Sequence, residues 1–324
     1  MKKIFSTVVL ICAALAAMAQ VRVATPNIEL ILNAEQGQEL QIAYFGGRLA
    51  DGDLANLQAA GAPNHNAYPP YGFNCPSEAS LAVTHMDGNM STVLKVESVS
   101  QADEPSAKVT RIRLKDTVYP FYVTVCYRAY QDVDMIETWT EIENLEKKPV
   151  TLTRFDSGYL PIRVGDVWVS HLYGTWANEG RLAQEPLERG RMTIQNKDGV
   201  RNAHTDHAEV MFSLDGKPQE NAGRVIGAAL CYSGNYELRI DTRDTDYHQF
   251  FAGINPDNSS YSLASKEVFK TPELAFTYSE EGLSGASRNF HRWGRKYKLA
   301  HGDKERKILL NSWEGVYFDI NEPG

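Results

Sequence analysis

Two stretches of the sequence hold residue types that could do chemistry. The first runs Asn311-Ser312-Trp313-Glu314-Gly315-Val316-Tyr317-Phe318-Asp319, with Glu322 three residues further on. Two carboxyl groups can act as nucleophile and as general acid/base, provided they flank the bond to be broken. To do so they must come from opposite sides of that bond. Asp319 and Glu322 stand one helical turn apart on one element and do not readily meet that demand. Acids at this spacing suit the start of a helix, where the backbone dipole favours them. The second stretch is Arg201-Asn202-Ala203-His204-Thr205-Asp206-His207-Ala208. His204, Asp206 and His207 could begin a metal site, but no further ligand can be placed. Histidines in a polar loop more often make hydrogen bonds. No catalytic residue, metal or cofactor is therefore assigned. The chain has no GxSxG elbow, P-loop or dinucleotide fingerprint, and the Gly-rich stretch from Phe45 to Gly52 reads as a turn.

The elements around these residues are mostly strands. From Val21 to about Lys270, short runs rich in β-branched and aromatic residues alternate with Gly, Asn, Asp and Pro clusters. In Ile136–Asn144, Ile136, Thr138, Thr140 and Ile142 share one face, and Glu137, Trp139, Glu141 and Glu143 the other. Such a mixed face suggests a half-covered sheet. Many strands without alternating helices predict an antiparallel sandwich, too large for an immunoglobulin-like domain. The pattern changes near Ser279. Leu283, Ala286, Phe290, Trp293 and Tyr297 fall at helical spacing. A charged connector, His301–Arg306, follows. Ile308-Leu309-Leu310-Asn311 then reads as a short buried strand of the parallel kind, opening an α/β domain.

Composition narrows the function. The 324 residues are 43% hydrophobic and 23% charged, an ordinary globular balance. A net charge of -8 with no basic run disfavours nucleic acid and anionic membrane surfaces. Residues 1–19 read as a secretory signal peptide, with Lys2 and Lys3, an apolar Ile4–Leu15 and Ala17-Met18-Ala19 before the cleavage point. No cysteine stands immediately after that point, so no lipid anchor is expected, and the chain is expected to be secreted or periplasmic. Cys75, Cys126 and Cys231 then remain, with no zinc-like spacing. Cys126 and Cys231 sit in strand-like runs, where buried free cysteines are common.

Several segments, in order, resemble family-36 glycoside hydrolases, the bacterial α-galactosidases. Tyr68–Asn89 is similar to the family's Tyr-Pro-x-Tyr-Gly segment and the strand ending in an Asp-Gly turn. Ser170–Gly199 resembles its Gly-x-Trp segment with the polar stretch after it. Ala229–Asp241 resembles its Tyr-Ser-Gly-Asn strand. Phe269–Trp293 resembles the Thr-Pro-Glu strand and the helix into the barrel, and Asn311–Asp319 the opening of the catalytic barrel. One stretch departs: His204 is retained, but the family's following Asn-Pro-Phe is absent, which puts the usual loop conformation in doubt.

The resemblance implies a mainly β chain. It would comprise a signal peptide (1–19), a large antiparallel β-supersandwich (20–278), a linker helix and connector (279–306) and the first strand of a (β/α)₈ barrel (307–324). It implies a retaining α-galactosidase whose two catalytic aspartates lie beyond residue 324, so this stretch alone would be inactive. The substrate would be an α-galactoside oligosaccharide or polysaccharide, and relatives suggest a homo-oligomer. Trp313, at the end of a barrel strand, would form a wall of the sugar pocket; its bland alternative is packing between barrel and helix. Trp176, at a strand end, would reach the same pocket; its alternative is an anchor beneath the long excursion to Gly199. A competing function is a non-catalytic carbohydrate-binding or assembly sandwich.

Overall fold

The structure is a computed structural model that describes residues 20–59, 65–72, 78–201, 205–244 and 246–321. The segment expected to be a signal peptide (1–19), Cys75, His204 and Glu322 lie outside the described residues. Antiparallel sheets dominate. A ten-stranded sheet runs in the order Arg181–Pro186, Trp168–Tyr173, Glu209–Ser213, Val225–Cys231, Glu273–Ser279, Ile136–Asn144, Phe121–Tyr130, Ala107–Asp116 and Leu94–Glu104, with Val268–Lys270 added beside Ile136–Asn144. A six-stranded sheet faces it, ordered Gly190–Gln195, Tyr236–Asp244, Tyr247–Ile254, Val150–Ile162 and Tyr261–Leu263, with Leu81–Thr84 also on Val150–Ile162. A four-stranded N-terminal sheet (Gln20–Ala24, Ile28–Asn33, Gln41–Gly47, His65–Asn66) packs against the larger one.

Alternation along the strands builds one core between these sheets. Val123, Val125, Leu238, Ile240, Phe212 and Phe250 are all buried in it. Rings lock the layers edge-on: Phe212 meets Phe250 at 5.1 Å, and Phe45 meets Phe276 at 5.1 Å. Val150–Ile162 serves two sets of partners. Its first half pairs with Leu81–Thr84 and Tyr261–Leu263, and its second half with Tyr247–Ile254. The register slips between Asp156 and Gly158, a β-bulge that turns the strand from one set to the other.

The outer face of the large sheet is half covered, and by two different means. Over Ile136–Asn144, basic side chains roof Trp139, with Lys270 at 4.9 Å, Arg128 at 5.0 Å and Arg111 at 5.8 Å from its ring. Further along, the helix Gly282–Trp293 and the π-helical turn Gly294–Lys298 lie on the sheet. Phe290, Trp293 and Tyr297 pack with Tyr130, Met135 and Ala275. Full burial of one such ring is worth on the order of 1.5–3 kcal/mol. Glu137, wholly buried, accepts from Arg128 Nη1 (2.7 Å) and Tyr130 Oη (3.1 Å), and Lys298 Nζ lies 2.6 Å away. Cys126 and Cys231 are free, both on strands. Burial pushes the Cys126 thiol up to about 12 and that of Cys231 to about 11, so neither is a thiolate near neutrality.

Three expectations need correction. Lys307–Leu310 forms no strand: it has no ladder partner among the described residues, and Ile308, Leu309 and Leu310 are exposed. A parallel strand exists only by bonding to a neighbour, so the opening of a barrel is not seen. The helix at this end is Trp313–Val316, and Asp319 follows it rather than starting one. Finally, the polar stretch after Trp176 contains two strands, Arg181–Pro186 and Gly190–Gln195. They read as loop because the first is a mostly exposed edge strand with little apolar alternation.

Gly253 lies opposite the bulge. A Cβ there would stand 2.7 Å from Asp156 Cα and 3.1 Å from Ser157 N, which are backbone atoms that cannot step aside. Gly253→Ala is expected to lower the unfolding free energy by about 1–3 kcal/mol. Urea denaturation checks this, and an unchanged midpoint would show that the bulge yields freely.

Candidate functional site

Trp176 stands at the tip of a hairpin. Trp168–Tyr173 and Arg181–Pro186 pair in unbroken register, and residues 174–180 join them. Asn178 N–H donates to Thr175 O (2.9 Å), and Ala177 N–H to Glu179 Oε1 (3.0 Å). Arg181 Nε donates to Asn178 Oδ1 at 2.7 Å. Gly174 is needed at the base, where a Cβ would come within 2.7 Å of Asn178 O and Glu179 Cα. The turn is braced from outside: Gly174 N–H donates to Thr205 O (2.8 Å), and His207 N–H to Leu172 O (3.2 Å). So folded, the turn presents Trp176 81% exposed, with Tyr173 44% exposed beside it. At that exposure, among the described residues, the indole does not anchor the loop. A bare tryptophan on a braced turn is a surface on which an apolar ring face can lie.

Beneath the turn lies a titratable cluster. His171 faces Glu185 at 3.8 Å and Asp206 at 4.0 Å, and His207 faces Glu209 at 3.6 Å. Burial raises the Asp206 carboxyl above the ordinary range, while the two imidazoles and a backbone hydrogen bond with Gln195 oppose that rise. Burial, with Asp206 and Glu209 nearby, also raises the Tyr236 hydroxyl. Of the suspected metal trio, Asp206 and His207 therefore face different partners. Among the described residues no group of three or more His, Cys, Asp or Glu is arranged to hold a metal ion.

Trp313 opens the short helix Trp313–Val316, with its N–H on Asn311 Oδ1 at 3.1 Å. Its ring meets Tyr317 at 5.5 Å and Phe318 at 4.9 Å, both edge-on. Among the described residues no ring contact or hydrogen bond joins it to Trp176. The sequence reading passed over His171, Glu185 and Tyr173. The signal was there: His171 sits in Val-Trp-Val-Ser-His-Leu-Tyr at an inward position of an alternating strand, two residues before an exposed aromatic. A shallow groove of about 370 Å³, lined in part by Met211, Glu220, Arg288 and His291, contains neither tryptophan.

Comparison with known proteins follows the same division of the chain. Residues 38–264 match the glycosyl hydrolase family 36 N-terminal domain, and residues 268–323 match melibiase. The alpha-galactosidase AgaA of Geobacillus stearothermophilus is 33% identical over 223 residues, which cover 68% of this chain and 30% of that protein. The bifunctional alpha-galactosidase/sucrose kinase AgaSK of Mediterraneibacter gnavus is 31% identical over 223 residues, 68% of this chain and 23% of that protein. The crystal structure of AgaA superposes with a TM-score of 0.83 at 25% identity, over 93% of this chain and 46% of that one. The chain thus spans less than half the length of these relatives.

The exposure of Trp176 makes a stability test decisive. Trp176→Ala is expected to change the unfolding free energy by no more than about 0.5 kcal/mol. Calorimetry checks it, and a loss of several kcal/mol would mark the indole as a packing anchor.

Proposed function

The chain belongs to glycosyl hydrolase family 36, and we propose that it is the N-terminal part of a secreted α-galactosidase that removes terminal α-D-galactosyl groups with retention. One observation carries this reading: the family's sandwich domain and the melibiase domain match consecutive parts of one chain, 38–264 and then 268–323. A free-standing carbohydrate-binding sandwich would account for the first match and not for the second.

In this reading the chemistry is divided. Two aspartates on barrel strands beyond residue 324 flank the galactosidic bond. One attacks the anomeric carbon, and the other protonates the leaving oxygen and then takes a proton from water. Residues 20–278 are the supersandwich, residues 279–306 the linker, and residues 307–324 the start of the barrel. The sandwich and linker hold apolar surface in place against the sugar: Trp313 walls the galactose or the next sugar, and Trp176 reaches in from its hairpin. The bare side chains of Ile308, Leu309, Leu310, Phe318 and Ile320 support the barrel assignment, since a run of exposed apolar residues marks surface meant to be covered. Residues 1–19 would direct export, and the working protein would be a homo-oligomer acting on α-galactoside oligosaccharides or polysaccharides.

Two assays test the proposal. The 324-residue chain is expected not to hydrolyse p-nitrophenyl α-galactoside; turnover at enzyme-like rates would place the carboxylate pair inside it. In the full-length enzyme, Trp313→Ala is expected to lower kcat/KM at least about tenfold, some 1.4 kcal/mol of transition-state stabilisation, with an unaltered sandwich by circular dichroism. An unchanged kcat/KM would remove Trp313 from the pocket.

A further inference from the structure

His171 is buried with unmet bonding capacity. Its side chain is 10% exposed, and among the described residues neither ring nitrogen has a hydrogen-bond partner. Buried polar atoms are rarely left so, and those that are call for an explanation. The surroundings supply one. Nε2 faces Glu185 Oε1 at 3.8 Å, and Nδ1 faces Asp206 Oδ1 at 4.0 Å. Each gap is about 1 Å longer than a charged N–H···O bond. The two carboxylates stand on opposite sides of one ring and on different elements. Glu185 belongs to the second strand of the Trp176 hairpin. Asp206 bridges to Tyr173 and sits between Thr205 and His207, the two residues that brace the turn.

We propose that His171 is a positioning residue for Trp176: its imidazolium draws Glu185 and Asp206 onto its two nitrogens and thereby sets the base of the turn that carries the indole. The catalytic relevance of this device rests on the reading that Trp176 meets the sugar. A neutral imidazole has a single N–H and can serve one carboxylate, whereas the imidazolium has two and can serve both. Taking up one proton from solvent therefore converts two long contacts into two charge-assisted hydrogen bonds. Histidine is the side chain whose charge ordinarily changes between pH 5 and 8. The turn is drawn in when the ring carries both protons and relaxes when it gives one up. The lower limit is reached when Asp206, whose carboxyl burial raises, loses its charge.

The other groups around the ring have separate parts. From the segment before Glu209–Ser213, His207 lies near Asp206 but pairs with Glu209. From Tyr236–Asp244, Tyr236 lies in the field of Asp206 and Glu209. From Gly190–Gln195, the backbone of Gln195 hydrogen-bonds Asp206. On the same strand as His171, the Tyr173 ring is 6.4 Å away. Of these, His171 alone faces both Glu185 and Asp206.

The test uses the 324-residue chain with 5-fluorotryptophan at its five tryptophans, followed by fluorine NMR from pH 5 to 8. Trp176→Phe identifies the Trp176 resonance. That resonance is expected to shift in one transition, which His171→Gln and Asp206→Asn each abolish and His207→Gln leaves in place. A resonance that stays flat in the unaltered chain, or a transition that survives His171→Gln, would overturn the proposal. If His171→Gln fails to fold, a transition surviving in Asp206→Asn overturns it equally. The sugar reading is tested apart from this, by kcat/KM of Trp176→Ala in the full-length enzyme. An unchanged value there would overturn the role of His171 in catalysis while the NMR transition still reports its hold on the turn.

Discussion

The bulge at Asp156–Gly158 is the constraint on which the rest of the sandwich depends. There the strand Val150–Ile162 changes partners, and there three layers meet. Asp156 N–H donates to Ser80 O at 2.8 Å, and its carbonyl accepts from Tyr68 Oη at 2.9 Å and from Thr140 Oγ1 at 3.4 Å. Thr140 belongs to the large sheet, and Tyr68 to the segment that follows the N-terminal sheet. The side chain of Asp156 is held by Arg239, itself 1% exposed and lying over the Phe251 ring at 4.3 Å. Arg239 also donates to Glu237 at 2.7 Å and to Ala79 O at 3.2 Å, while Arg154 bonds Glu237 at 2.9 Å. Burial drives the Asp156 carboxyl well above its usual range, with Arg154 opposing. Such a network adds little net stability over an apolar core, but losing one member costs about 3–5 kcal/mol. It ties the bulge to a register in which Asp156 and Glu237 both reach Arg239.

The large sheet meets a different demand. One face is core, and the other would be solvated were it not for the helix. Where the helix lies, the outer face is aromatic and aliphatic: Tyr130, Met135 and Ala275 under Phe290, Trp293 and Tyr297. Beyond it, the same face carries Glu97–Arg113–Glu143 and Arg111–Glu141 pairs. Half-exposed pairs of this kind contribute little each. Their long stems, however, cover Trp139 and Tyr122, with Arg113 only 4.1 Å from the Tyr122 ring centre. The mixed face of Ile136–Asn144 is thus shielded from water without a second sheet.

That face also shows what could be read from residues alone. Alternation was legible wherever one face of a strand met the core and the other met solvent or salt bridges, and the helical spacing of Leu283 to Tyr297 was plain for the same reason. Tyr247–Ile254 carried no alternation, because nearly every residue in it is buried on one side or the other. Arg181–Pro186 carried none because it is an exposed edge. The segment after Lys307 carried a strand signal, yet strand is a property of a pair, and no partner is present among the described residues. At the candidate site, Trp176 and Trp313 stood out through resemblance. His171 did not, since its significance lies in two carboxylates separated from it by 14 and 35 residues. Distances of that kind become visible only once the hairpin has formed.

The proposed site would draw on both the sandwich and the segment after the helix, and so would need a linker that does not swing. The sandwich fixes Trp176 by hydrogen bonds at the base of its turn. Among the described residues Trp313 has no comparable bracing, so its placement depends on how the chain leaves the sheet. The contacts at the end of the helix meet that need. Lys298 reaches the buried Glu137, and Lys296 and Tyr297 both bind Asp132. Glu137 is itself fixed by Arg128 and Tyr130 on the neighbouring strand. A carboxylate with no exposed surface cannot follow a moving lysine, so the bond to Lys298 ties the end of the helix to the sheet rather than to a flexible side chain. The π-helical turn Gly294–Lys298 is what brings Lys296, Tyr297 and Lys298 to bear on the sheet within three successive residues. The direction in which residues 299–321 depart is therefore set by the same sheet that positions Trp176. The two tryptophans proposed to meet the sugar acquire a common frame of reference in this way, without touching.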